Sequence, residues 1–127
     1  DHMVLPEIIS KEPLGPVVRQ GDDQWLDVVR WSLNAMINAE ELGVTKANVD
    51  EMANSDNPEI KRLLGKEGEF GPSLGLGLDW AHQIVKQVGN YGEIFDANAG
   101  PSTPLAIARG PNALGPKGGL QYAPPIR

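Results

Sequence analysis

With 127 residues, the chain has the length of one ordinary domain and can enclose a single modest core; Leu, Ile, Val and Phe fill 32 positions, about a quarter of the chain and above the range of a disordered sequence. A net charge of −6 with only eleven scattered Lys and Arg excludes the clustered basic surface that a phosphate backbone requires, so no nucleic-acid partner is expected. The absence of cysteine excludes disulfides and thiolate metal sites, and no apolar run approaches the ~20 residues that cross a bilayer.

In chain order, residues 4–9 and 17–20 are rich in β-branched side chains and read as two short strands. Pro6, Pro13 and Pro16 fix φ and remove amide donors between them, which makes the connection a proline-rich crossover. Asp22 or Asp23 can cap a helix over residues 23–42, with Trp25, Val29, Leu33, Met36 and Ile37 at the helical period and Gly43 as its left-handed stop. Leu26, Val28 and Trp31 widen its apolar face, so this helix expects partners on more than one side. Two short helices follow, residues 46–53 behind Thr45 and residues 58–64 with Asn57 as cap, Pro58 at the first position and Gly65 at the end. Residues 65–77 read as a glycine-rich loop. A fourth helix starts at Asp79 and carries Ala81, Ile84, Val85, Val88, Tyr91 and Phe95 along one side, weakened by Gly89 and Gly92 at about 1 kcal/mol each relative to alanine. Thr103 and Pro104 open a last short helix ending at Gly110, and residues 111–127 form a tail of Gly, Pro and Lys. The expected fold is α+β and predominantly helical, with about five helices and one or two N-terminal strands. Its division is strand and crossover over 1–20, helical body over 21–100, and short helix and tail over 101–127.

Few side chains are placed for catalysis. Residues 71–75, Gly-Pro-Ser-Leu-Gly, match the G-x-S-x-G pattern of a serine nucleophile elbow, but no buried strand precedes Ser73, and Asp79 and His82 follow within one predicted helical turn. Gly75 and Gly77 make half of a dinucleotide fingerprint whose third glycine position is Trp80. His2 and His82 are the only histidines and have no ligand spacing around them, so no metal and no cofactor is expected. Glu40 with Glu41, and Asp50 with Glu51, read as solvated helix surface. Trp25, Trp31 and Trp80 read as core or interface residues.

Three stretches carry a specific resemblance: LPEIISKEPLGPVVRQGDDQW at 5–25, GNYGEIFDANAG at 89–100 and GGLQYAPPIR at 118–127. Together they resemble the general L-amino-acid-binding proteins of bacterial ABC importers, the periplasmic solute-binding class. The resemblance covers nearly the whole chain but only the C-terminal third or so of such a protein. It implies two α/β lobes that close on a ligand, with no covalent chemistry. On this likeness Glu12, Pro13, Leu14, Gly15 and Pro16 are hinge residues of the crossover, and residues 23–42 pack on the first lobe. Residues 43–78 are an insertion of the subgroup, residues 89–100 its terminal helix and residues 103–127 its C-terminal extension. At residues 113–115 the chain departs from the family, with Ala-Leu-Gly where an aromatic or polar residue is expected. The groups that hold the α-carboxylate and α-amino group lie upstream of Asp1, so no ligand contact can be assigned here. The start at Asp1 is accordingly read as internal or processed. The implied partners are a polar L-amino acid and a membrane permease, and the implied compartment is the periplasm. A free-standing helical interaction module and a small hydrolase using Ser73 are the alternatives. Without sheet neighbours, the N-terminal strands are expected to form a homodimer by exchange of that segment between protomers.

Overall fold

The computed structural model describes Met3, Glu7, Ile9, Ser10 and residues 12–127. Among these residues the chain forms helices α1 (Asp23–Glu41), α2 (Val49–Met52), α3 (Pro58–Leu63), α4 (Phe70–Ser73), α5 (Trp80–Val88) and α6 (Tyr91–Asn98), followed by 3₁₀ turns at Gly110–Asn112 and Gly115–Lys117. Helix α1, about 28 Å long at ~1.5 Å per residue, is the axis against which α3, α5 and α6 pack, while α2 packs on α5.

Local signals set several of these boundaries. Asp22 caps α1 by accepting from the Trp25 N–H at 3.1 Å. The helix ends in a Schellman arrangement, with Gly43 N–H on the Glu40 carbonyl (3.2 Å) and Val44 N–H on the Ala39 carbonyl (2.8 Å). Asn57 caps α3 through the Glu59 N–H at 2.9 Å, with Pro58 in the first position. The C-terminal half of α1 then builds the core. Ala35 and Ala39, with no exposed surface, admit Val44, Val49, Ile60, Leu63, Leu64, Trp80, Ala81 and Val85 closely around them. A second, smaller cluster on another side joins Ile37 to Leu114 and Ala123, with Leu33 and Tyr91 packed against it. Trp25, Leu26, Val28 and Val29, in the first two turns of α1, belong to neither cluster.

Several expected elements differ. Residues 17–19 have no regular structure and Gln20 lies in a turn, closed by Asp22 N–H on the Arg19 carbonyl at 3.3 Å, and the isolated Leu114–Gln121 bridge is the one β-type pairing among the described residues. A strand persists only where another strand satisfies its backbone groups, so the described part is helical rather than α+β. The strand expected at 4–9 falls mostly on residues outside those described. Helix α2 is a single turn, shorter than residues 46–53, because Thr45 and Asn48 close the preceding turn on each other: Thr45 N–H donates to Asn48 Oδ1 (2.7 Å) and Asn48 N–H to Thr45 Oγ1 (3.3 Å). The loop at 65–77 contains the extra turn α4, held by Phe70 packing edge-on against Trp31 (4.6 Å between centroids) and stacking on Trp80 (6.2 Å).

The single helix expected from Asp79 to Phe95 is two. Gly89 takes φ +89°, and Asn90 opens α6 with a capping box, accepting the Glu93 N–H at 3.0 Å while Glu93 Oε2 accepts the Asn90 N–H at 2.8 Å. The helix expected at 103–110 is absent. Leu105 and Ile107 lack a face to bury, Ala106 sits at φ +48°, and the Ile107 N–H turns to the Ala99 carbonyl at 2.8 Å.

Candidate functional site

Glu12, Pro13, Leu14, Gly15 and Pro16, the residues expected to form a hinge, are an exposed segment without regular structure, with Leu14 N–H donating to the Glu12 carbonyl at 2.8 Å. It leads to a polar notch at the start of α1 lined by Arg19, Gln20, Asp22, Asp23 and Gln24. Behind this notch the open side of α1 begins, where Trp25 is 54% exposed. Of the three tryptophans, Trp80 is core, Trp31 packs against it through Phe70, and Trp25 is uncovered.

Ser73 is held as an ordinary helix-end serine. Its Oγ donates to the Glu69 carbonyl at 3.1 Å, and the histidine that a nucleophile would need is bonded elsewhere, His82 Nε2 to Asp50 Oδ1 at 3.0 Å. Gly71, the first glycine of that pattern, serves packing: a Cβ there would lie 2.2 Å from the Gly77 carbonyl oxygen and 2.7 Å from the Trp80 ring. Lys86 Nζ shares the same Asp50 oxygen at 3.0 Å, and its hydrogen bond, reinforced by His82, holds the Asp50 carboxyl below the ordinary value. Asp79 is likewise held low, first by the hydrogen bond from Gln83 Nε2 at 2.7 Å. No group of three or more His, Asp or Glu that could hold a metal ion occurs among the described residues.

Glu40 is not solvated surface, as its sequence context implies. Its side chain is 10% exposed and accepts from Arg109 Nη2 at 2.9 Å, with Lys117 Nζ at 3.9 Å. The Arg109 guanidinium lies over the Tyr91 and Phe95 rings, 5.5 and 5.4 Å from their centroids. No local signal marks this pair, because 69 residues separate the partners. Asn38 is a second group that sequence reasoning missed: its Nδ2 donates to the Pro124 carbonyl at 2.9 Å and fastens the tail to α1.

Between that tail and helices α1 and α3 lies a cavity of about 430 Å³. Glu41 and Glu59 are its charged lining groups, and it has no cation to hold an α-carboxylate; an adjoining notch brings Arg62 and Arg127 to the surface. The ion pairs described above join helix to helix or helix to tail, an arrangement suited to holding elements together.

No family model matches the chain. Along its whole length it is 65% identical to the general L-amino acid-binding periplasmic protein AapJ of Rhizobium johnstonii, of which it spans 38%. It is 59% identical to the glutamate/glutamine/aspartate/asparagine-binding protein BztA of Rhodobacter capsulatus, again spanning 38%. Among solved structures it is similar to an ABC transporter periplasmic binding protein from Brucella ovis with glutathione bound. That likeness has a TM-score of 0.92 and 63% identity, covering 97% of this chain and 39% of that one. In sequence and fold the chain is thus similar, along its whole length, to amino-acid-binding periplasmic proteins of ABC transporters, of whose length it spans about two fifths.

Proposed function

We propose that this chain is the C-terminal part of a periplasmic substrate-binding protein that captures polar L-amino acids and delivers them to an ABC permease, without covalent chemistry. The observation that carries this reading is the match of this chain, along its own whole length, to part of AapJ and BztA, combined with the same fold in a ligand-bound binding protein. Within the larger protein, Glu12–Pro16 acts as part of the hinge between lobes. Prolines at positions 13 and 16 limit the conformations available to that connection, which suits a hinge moving between two defined arrangements. The apolar first turns of α1 are covered by the remainder of the first lobe. Ligand-holding groups come from the remainder of the protein, consistent with the carboxylate-lined cavity here. Taken alone, the chain covers its open face with a second copy, through exchange of the N-terminal segment; the exposure of Val17 and Trp25 supports this.

A protein of the relatives' length containing this segment tests the reading by calorimetry with glutamate, glutamine, aspartate and asparagine. Saturable binding of at least one of them is expected. Four flat titrations from a folded protein overturn it.

A further inference from the structure

The tail is a structure in its own right, bound to the helices at few points. Within it, the Asn112 N–H donates to the Arg109 carbonyl (2.8 Å), Gly119 to Leu114 (3.0 Å), Leu120 to Pro111 (2.8 Å), Gln121 to Ala113 (3.0 Å) and Gly115 back to Gln121 (2.9 Å). Against this internal network, hydrogen bonds across to the helical body are sparse among the described residues. At the tail's root Thr103 bonds the Gly100 carbonyl through its N–H (2.9 Å) and Oγ1 (2.8 Å); beyond that root they are Ile107 N–H to the Ala99 carbonyl, Asn38 Nδ2 to the Pro124 carbonyl, and Arg109 Nη2 to Glu40 Oε2. Leu114 and Ala123 meet Ile37 in the smaller apolar cluster, and Ile126 reaches the main one.

We propose that residues 101–127 are a latched strap that opens as a unit from the α1–α6 face while the helices stay folded, with the Glu40–Arg109 pair as its latch. A segment bonded mainly to itself and tied to its neighbour by a few contacts is the kind of unit that opens below the free energy of global unfolding. The latch is built for closure. Glu40 is a mostly buried carboxylate that loses its charge-assisted partner when the strap lifts, so the open state carries an unpaired charge at the surface of α1. Gly92 makes room for it: a Cβ at that position would lie 2.7 Å from Arg109 Nη1 and 3.0 Å from Glu40 Cδ, so bare backbone on α6 is what lets the pair close. Opening uncovers the seam of Leu33, Ile37 and Tyr91. The proposal goes beyond the amino-acid reading and stands or fails separately from it, since no ligand enters it.

Native-state hydrogen exchange on the full chain, followed at increasing sub-denaturing urea, tests it. In the wild type, the amides of Gly119, Leu120 and Gln121 are expected to exchange together, faster than that of Val85 in α5 and with a shallower dependence on urea. Glu40→Gln should accelerate the strap amides by about tenfold to a hundredfold, the range of a charge-assisted hydrogen bond, and leave Val85 within about twofold. Gly92→Ala, which keeps both charges and wedges the pair apart, should act in the same direction on the same amides. Exchange of strap and Val85 amides at one common rate in the wild type overturns the proposal without any variant. Equal acceleration of both groups by the two substitutions overturns the latch.

Discussion

Asn90 concentrates three roles in one buried residue. Its Oδ1 caps α6, its backbone N–H completes the box with Glu93, and its Nδ2 satisfies the buried Val44 carbonyl at 2.9 Å. Asn90→Ala removes the cap and orphans that carbonyl, so urea unfolding should show a loss of about 2–4 kcal/mol. Ser73→Ala should stay within about 0.5 kcal/mol of wild type in the same assay, as a serine bonded only to its own helix. Asp50 sets a pH effect of known sign. Its folded carboxyl titrates below the ordinary 3.8, chiefly because of the Lys86 hydrogen bond, so the unfolded chain binds the proton more readily in that interval. The contribution is therefore complete above pH 3.8 and fades as pH falls through the folded value. Acid titrations of wild type and Asp50→Asn should differ at neutral pH and converge at the acid end. The Asn90 box is written in the sequence as Asn-x-x-Glu directly after a glycine, but the apolar period running through it hid the cap. Glu40 was not legible either, because its meaning depends on Arg109, far along the chain.

At the scale of elements, the boundaries that local chemistry determines were readable, and those that need a distant partner were not. Asn57-Pro58, Gly43 and Gly65 mark helix ends through bonds made within a few residues. The strand expected at 17–20 needed a neighbour to pair with, and the helix at 103–110 needed a face to bury; among the described residues neither is supplied. The continuous apolar period through residues 79–95 concealed the break between α5 and α6, since both helices face α1 and repeat its pattern on either side of Gly89. That glycine cannot be replaced cheaply. At φ +89° and ψ −177°, with a Cβ 2.9 Å from that of Glu93, Gly89→Ala should lower stability by about 1–3 kcal/mol. Phe70→Ala should cost about 2–4 kcal/mol by emptying the space between Trp31 and Trp80, and near-ultraviolet circular dichroism should report the changed tryptophan surroundings.

The whole molecule is a helical body closed on one flank by its own tail and open on another, where α1 begins. That asymmetry accords with a chain that spans about two fifths of its relatives and keeps their fold over its length. If the open flank is covered by a second copy in the isolated chain, light scattering at micromolar concentration should give a dimer that Trp25→Glu disperses; a monomer in the wild type would contradict the segment-exchange proposal. The resemblance to the family was legible because its three stretches lie far apart in the chain, at 5–25, 89–100 and 118–127, and point the same way. No ligand-contact residue was legible, because none of the three stretches that carry the resemblance contains a group expected to hold the α-carboxylate or α-amino group. The central claim is that amino-acid binding resides in the larger protein and not in this segment, and calorimetry of the 127-residue chain with glutamate, glutamine, aspartate and asparagine tests it most directly. The account predicts no saturable heat with any of the four, and micromolar binding of any one of them by the purified, folded chain would contradict it.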